Sequence, residues 1–361
     1  MSKILALGAE NKTRFAVKDG EKIFLSDVYS DLSIVSVLES YEKDIRTYLA
    51  ETGMKPEIIA CDAHPAYHSR WIAENLSREY ASEVLFVQHH EAHILSCMAD
   101  NNITGDVLGV AFDGAGYGND GAIWGGEFLL QNGAALKRLN HFSYVEQPGG
   151  DIASREIWRM AVSYLNQAYS GKLEKICSAV LNGIGKEKIC AILDMISKKI
   201  NVPLTSSVGR LFDAVSCLVL GRIKSDFEAE CAILLEKSIV QGVNDYYGYE
   251  ISGGSICVSK MIREIIRDME EKISAGIVSA KFHNTIGEII FDIARRTNKE
   301  FGITKVLVSG GCFQNKYLME YVEKKFSSEG SLKLYKHNKY SPSDLGIAIG
   351  QIVYAERVSG E

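Results

Sequence analysis

Three histidines fall within five residues of the stretch VQHHEAHILS, at positions 89, 90 and 93. His89 and His93 stand four apart, so a helix puts both imidazoles on one face. Such a pair can reach one metal ion, with carboxylates from elsewhere completing the shell. It also fits a catalytic pair or a helix surface rich in histidine, and the pentamer alone does not separate these readings. The H-E-x-x-H arrangement of zinc proteases is excluded, because Glu91 stands two residues after His89. On a helix His90 faces away from the other two and is expected to be a bystander.

Other stretches offer sites for a phosphate or a nucleotide. DGAGYGNDG (113–121) has G-x-G-x-G spacing and is followed by strand sequence, AIWGGEFLL, where a dinucleotide fingerprint needs a helix. It reads as a hairpin loop whose amides approach a phosphate, with Asp113 beside it to hold a cation or a water. The alternative is a glycine-rich hairpin with no ligand. SGGCFQN (309–315) joins a buried strand to a helix, which suits either a nucleotide lying on the glycine pair or a plain tight turn. In TSSVGRLFD, Ser206 or Ser207 caps a helix on which Arg210 and Asp213 share a face. That pair can grip a ribose or phosphate, or form a surface ion pair. Asp344, in Ser-Pro-Ser-Asp, reads as an ordinary helix cap. His64 in CDAHPAYHS is either catalytic or loop, and His283 in KFHNT is expected to pack between helices.

These residues need elements to hold them. Lys3 to Val28 reads as a strand pair, in which KILALGA alternates and RFAVKDGEKIFLSDV folds back at Asp19-Gly20. PEIIAC (56–61) and residues 84–87 are short strands, and a second strand pair spans residues 107–130. Each pair is followed by helical sequence, so one device used twice suggests two α/β lobes facing across a cleft. Residues from about 154 to 296 are largely helical. KVLVS (305–309) is a buried strand, NKYLMEYVEKKF an amphipathic helix, and LGIAIGQIVYAERV a last helix.

At 361 residues the chain exceeds one ordinary core, so domains of ~100–200 residues are expected. Apolar residues at 46% and charged residues at 24% give the balance of a soluble globular protein. A net charge of −6, with the signs interspersed, leaves no nucleic-acid footprint. No run approaches the ~18 apolar residues of a membrane span, and MSKILALGAE lacks the layout of a signal peptide. A cytoplasmic protein is therefore expected. Eight cysteines (61, 97, 177, 190, 217, 231, 257 and 312) form no C-x-x-C pair, so buried free thiols are expected and a zinc ribbon is excluded.

Taken in order, VQHHEAH, FDGAGYGNDGAIWGGEF, PGGDIASREIWRMA, TSSVGRLFDAV, KFHNT, VSGGCFQN and SDLGIAIGQ resemble the C-terminal carbamoyltransferase portion of the HypF family of nickel–iron hydrogenase maturation proteins. The resemblance runs from about residue 3 to 355. That portion is similar to the tRNA threonylcarbamoyl transferases. The resemblance therefore implies the duplicated two-lobed α/β fold of the actin/Hsp70/sugar-kinase superfamily, with a helical insertion. It implies a first lobe over 1–105, with a C-terminal helix at 345–361 packing back on it. The second lobe would span 106–344 and carry the insertion at about 154–296.

The resemblance also implies site residues. Iron or zinc would sit on His89, His93, Asp113 and Asp344. A nucleotide (ATP, AMP or carbamoyl-adenylate) would be lined by Gly114, Gly116, Gly118, Arg210, Asp213, Gly310, Gly311 and Asn315. His64 lies in the family's D-x-H-P pattern and is expected to serve catalysis. The implied reaction moves a carbamoyl group from carbamoyl-adenylate to the C-terminal cysteine thiol of a HypE-like acceptor, and the product later becomes the cyanide ligand of the hydrogenase iron. Full-length family members carry acylphosphatase, zinc-finger and adenylate-forming domains ahead of this portion. The missing C-x-x-C pairs exclude the zinc fingers here, so a separate adenylate-forming partner or domain is implied as donor source. Leu345 stands where the family tends to have glycine, and FEAEC (227–231) where it tends to have Gly-Gln. Two other functions remain open. One is carbamoylation of a small-molecule hydroxyl or amine, and the other is nucleotide-dependent regulation without transfer.

Overall fold

A computed structural model of the chain describes residues 2–133, 135–170, 181 and 183–360. Its first sheet runs in the spatial order Lys22–Leu25, Ala16–Asp19, Ile4–Ala6, Ile58–Asp62, Glu83–Val87. The first three strands are antiparallel neighbours, and the last two continue parallel to Ile4–Ala6. The expected polar–apolar alternation in KILALGA is not what this strand shows: Ile4, Leu5, Ala6 and Leu7 are all fully buried. Alternation survives only as a choice of face. Leu5, Leu7, Ile59 and Cys61 pack with residues of the helices Val35–Thr52 and His68–Tyr80, while Ile4, Ala6, Ile58 and Ala60 pack with the helix Ile347–Ser359. A central strand covered on both sides has no solvent face to mark with polar residues. Each buried leucine or isoleucine among them contributes roughly 1.5–3 kcal/mol of transfer free energy.

The second sheet repeats this order with Leu136–Phe142, Ile123–Gln131, Val107–Tyr117, Lys305–Ser309 and Lys333–Tyr335, again three antiparallel strands followed by two parallel ones. A hairpin, Glu250–Ser252 with Ser255–Cys257, extends it beyond Leu136–Phe142. This hairpin lies inside the stretch read as largely helical. The molecule thus has a duplicated two-lobed α/β fold. On one face of the second sheet Leu108, Val110 and Phe112 join the main core, with Trp158, Leu165, Phe212 and Phe282 of the inserted helices.

Each lobe's sequence of strands ends in a helix, and the two helices cross over. His89–Asp100, which follows the first sheet, lays Ile94, Leu95, Cys97 and Met98 on Val107, Ala111, Leu129 and Leu307 of the second. Ile347–Ser359, which follows the second sheet, covers the first. Gly109 makes the first contact close, because a Cβ there would lie 2.6 Å from Ile94 Cγ1. The histidine helix is therefore clamped at the seam between the lobes. Among the described residues no helix is long and apolar enough to cross a membrane. The seven described cysteines are free, with Cys61, Cys97, Cys217 and Cys231 buried, and Cys177 lies outside the described residues. Cys190 departs from the expectation of burial: it sits on the outer side of Lys186–Lys198, which buries Ile189, Ile192 and Ile196 instead.

Candidate metal centre

His89 and His93 occupy the first turns of His89–Asp100, whose start is capped by the Gln88 side chain accepting from the Glu91 amide at 2.8 Å. Asp113 comes from the second lobe's first strand, and Asp344 from the short turn Asp344–Gly346 that leads into the last helix. One ligand atom from each of these four side chains lies within 4.8 Å of the others. His89 Nε2 is 3.4 Å from Asp113 Oδ2 and 3.7 Å from Asp344 Oδ1. His93 Nε2 is 3.9 and 3.6 Å from the same two oxygens. The capping role read for Asp344 does not occur. Its turn has no side-chain cap, and the carboxylate points at the imidazoles even with Leu345 behind it.

The surroundings suit a divalent cation. Both histidines are almost fully buried, and among the described residues neither Nε2 has a hydrogen-bond partner. Asp62, at the end of Ile58–Asp62, accepts from His89 Nδ1 at 2.7 Å, which aims the Nε2 lone pair at the cluster. Burial opposes a charge on His89, but the carboxylates of Asp113 and Asp62 on either side of the ring raise its pKa well above the usual value. Burial likewise pushes Asp113 up, but the close approach of the His89 and His93 imidazoles overcomes it, holding Asp113 well below the carboxylate range. Asp344 is raised, first by burial and then by the charge of Asp113. A buried and a partly exposed carboxylate facing two imidazole nitrogens form a donor set that iron or zinc fits, with the cation replacing a proton. His90 is also buried, but its ring sits over Gly116 and its Nδ1 is 3.2 Å from Gln88 Nε2.

The glycines expected to line a nucleotide serve several ends. DGAGYGNDG is not a loop throughout: the strand runs to Tyr117, with a register shift between Phe112 and Gly116, and the turn is confined to residues 118–121. At Gly116 a Cβ would lie 2.5 Å from His90 Cε1 and 2.7 Å from His89 Cδ2, and at Gly118 it would strike the Trp124 ring at 2.1 Å. Only Gly114 faces open space, bounded by Arg210 Nη2 at 3.9 Å. Gly310 (φ +105) packs against the Phe112 carbonyl. The amides of this glycine pair are already engaged, Gly310 donating to the Pro342 carbonyl at 2.8 Å and Gly311 to Asp113 Oδ1 at 3.1 Å. They brace the four-donor cluster and do not point free N–H groups at a phosphate.

Arg210 and Asp213 are not a surface pair. Their side chains lie 3.0 Å apart and are buried, on a helix capped by Ser207. Burial raises Asp213 to about 6 despite Arg210. Among the described residues Arg210 Nε has no hydrogen-bond partner, which leaves a buried cation facing Gly114 with donor capacity to spare. Asn315 is held through both ends of its amide. Its amide oxygen accepts from the Leu318 amide at 2.9 Å, and its NH2 group meets His283 Nε2 at 3.0 Å.

His283 donates from Nδ1 to the Ser279 carbonyl at 2.7 Å, and burial lowers its pKa from 6.5 to about 4. The unfolded ring therefore takes a proton first as pH falls, and stability present above pH 6.5 is lost on the way down to 4. At about pH 5 this residue costs on the order of 2 kcal/mol relative to neutral pH. Urea unfolding of His283→Gln at the two pH values should show a loss smaller by that amount, and an unchanged loss would refute the assignment.

His64 lies outside the cluster but next to it. Its backbone amide donates to Asp62 Oδ1 at 2.9 Å, and its ring stacks on Tyr67 with centroids 4.1 Å apart. Burial lowers its pKa, partly offset by Asp62, so the ring is neutral near pH 7. Asp62, which meets His89, and Ser309, whose Oγ lies 3.3 Å from His93 Nδ1, escaped the reading of the sequence as partners of the two rings. The signal available for Asp62 was its place at the end of an apolar strand, beside His64 in the D-x-H-P pattern.

Comparison with known proteins places this geometry. The pattern of the family described as HypF Kae1-like domain matches residues 1–100, and that described as carbamoyltransferase, Kae1-like domain, second subdomain, matches residues 109–351. A carbamoyltransferase HypF of Synechocystis is 30% identical over 374 residues, spanning 97% of this chain and 47% of the relative. A carbamoyltransferase HypF homolog of Cupriavidus necator is 29% identical over 364 residues, spanning 98% of this chain and 91% of that one. The crystal structure of full-length HypF in the phosphate- and nucleotide-bound form superposes with a TM-score of 0.93 at 34% identity, covering 100% of this chain and 47% of that chain. Apart from the Cupriavidus homolog, the chain spans about half the length of the curated relatives it matches.

Proposed function

Because this chain belongs to the HypF carbamoyltransferase family, we propose that it moves a carbamoyl group from carbamoyl-adenylate to the C-terminal cysteine thiol of a HypE-like protein, in making the cyanide ligand of nickel–iron hydrogenase. The observation that carries this reading is the four-donor cluster at the lobe seam, with a buried arginine beside it. In the transfer, the thiolate sulfur bonds to the carbamoyl carbon, the carbon–oxygen bond to phosphate breaks, and AMP departs with the electron pair. Iron or zinc held by His89, His93, Asp113 and Asp344 supplies Lewis-acid polarisation of a donor oxygen when bound. Arg210, kept in place by Asp213, is oriented to meet an anionic phosphate across Gly114. Gly114, without a side chain, leaves room for that approach. His64 is neutral near pH 7 and is the group we assign to take the thiol proton.

The donor comes from a separate adenylate-forming partner or domain. Asp344 still reaches both imidazoles beside Leu345, which argues against a regulator that has lost the chemistry. The test is incubation with carbamoyl phosphate, ATP and a HypE-like acceptor, with and without an adenylate-forming domain. Mass spectrometry should find the acceptor cysteine carrying one carbamoyl group in place of hydrogen when that domain is present. An unmodified acceptor under every donor condition overturns the assignment, and carbamoylation only of added small hydroxyl or amine compounds would move it to that substrate class.

A further inference from the structure

A second line of buried polar groups ends on His93. Ser309 Oγ lies 3.3 Å from His93 Nδ1 and 2.9 Å from His337 Nε2. Beyond it, His337 Nδ1 faces Asp100 Oδ2 at 3.5 Å, a charge contact, and has no hydrogen-bond partner among the described residues. The side chains of His337 and Asp100 are 3% and 1% exposed, and Ser309 is fully buried. Asp100 is the last residue of the histidine helix, and its carboxylate also accepts from the amides of Asn338, Lys339 and Tyr340. The loop after His337 is thereby tied to the helix that carries His93.

The donors and acceptors along this line can be assigned in one direction. A carboxylate only accepts, and its charge beside the ring favours the tautomer with the hydrogen on His337 Nδ1. Burial keeps His337 neutral, lowering its pKa to about 4, so its Nε2 is an acceptor. Ser309 must then give its single proton to His337, since the competing Pro342 carbonyl is farther away at 3.5 Å. The hydroxyl oxygen is left to accept, which puts the hydrogen of His93 on Nδ1 and a lone pair on Nε2.

We propose that Asp100, His337 and Ser309 form a positioning relay that fixes the tautomer and tilt of His93, so that its Nε2 is a ready metal ligand before any metal arrives. The proposal rests on the metal-centre reading above. It gives His93, through three residues drawn from both lobes, what Asp62 gives His89 directly.

The test compares zinc affinity of the full chain, by competition with a chromophoric chelator, in wild type, Ser309→Ala, His337→Leu and His337→Gln. Cutting the relay in the first two variants should weaken zinc binding by about 10-fold or more. Glutamine can accept from Ser309 and donate to Asp100, so it should restore most of that loss. In the zinc-loaded wild type, nitrogen-15 histidine spectra should show His93 carrying its hydrogen on Nδ1, the nitrogen facing Ser309. Zinc affinity within about twofold of wild type in both Ser309→Ala and His337→Leu, or a zinc-loaded His93 with no hydrogen on Nδ1, overturns the relay. A wild type that binds no zinc brings down the metal-centre reading itself, whereas a binding wild type with indifferent variants sinks the relay alone. Where His337→Leu fails to fold, Ser309→Ala and the wild-type spectra decide.

Discussion

Protein carrying Asp344→Asn should be purified without iron or zinc where the wild-type chain holds close to one ion, and should transfer no carbamoyl group. Losing a charged direct ligand is expected to weaken binding by more than the ~10–100-fold typical of outer partners. The same change should leave the metal-free protein at least as stable as wild type. Burial and the charge of Asp113 both work against a charge on Asp344, so the amide relieves a like-charge contact. His89→Ala makes the contrast. It also removes a ligand, but leaves Asp62 buried with its strongest partner gone, and an unpaired buried carboxylate costs about 3–5 kcal/mol. Elemental analysis with urea unfolding of both variants separates the effects. Wild-type metal content in Asp344→Asn, or a large loss of its metal-free stability, would show that the cluster is a structural network and not a metal centre. Sites of this kind are commonly less stable than their substituted versions, because the repulsion is kept for the ligand.

Part of this site was legible before the fold. The spacing of His89 and His93 puts them on one helical face, and Asp113 is the first polar residue after an apolar strand, where a cleft would begin. Asp344 is distant in sequence, and locally Ser-Pro-Ser-Asp looks the same whether it caps a helix or presents a carboxylate. Only the resemblance to a family joined it to the histidines. Duplication was legible because each hairpin leaves an apolar–turn–apolar signature. The crossing of the two closing helices was not, since helical periodicity says which face is apolar and not whose sheet covers it. The amides of Gly310 and Gly311 were misjudged for a related reason. A glycine pair after a strand signals a close approach, but whether the thing approached is a phosphate or the Phe112 carbonyl and the Asp113 carboxylate depends on the neighbouring strand. His337 had no motif at all around it, and its role follows from three segments meeting below His93.

Gly350→Ala should destabilise the protein by roughly 3 kcal/mol or more and weaken metal binding at the same time. Gly350 lies where Ile347–Ser359 crosses His89–Asp100, and a Cβ there would sit 1.9 Å from the Ala92 carbonyl oxygen and 2.8 Å from its Cα. These are backbone atoms, so no rotamer change can make room, and the helices must separate. Alanine would add up to about 1 kcal/mol of helix propensity, which is too little to offset that shift. The neighbours leave no slack, because Ile347, Ala348, Ile352 and Ala355 are fully buried beside the first sheet, while Ile94 and Leu95 are held on the second. One of the crossing helices carries both imidazoles, and the other begins directly after Asp344. A separation of even half an ångström therefore lengthens the distances from Asp344 to His89 and His93 together. Gly330→Ala is the control, since nothing lies within 4 Å of a Cβ at that position. Urea unfolding and zinc competition of the two variants should show both losses at 350 and neither at 330. Wild-type stability in Gly350→Ala would mean that the helix crossing is loose, and that the seam does not hold the four donors in register.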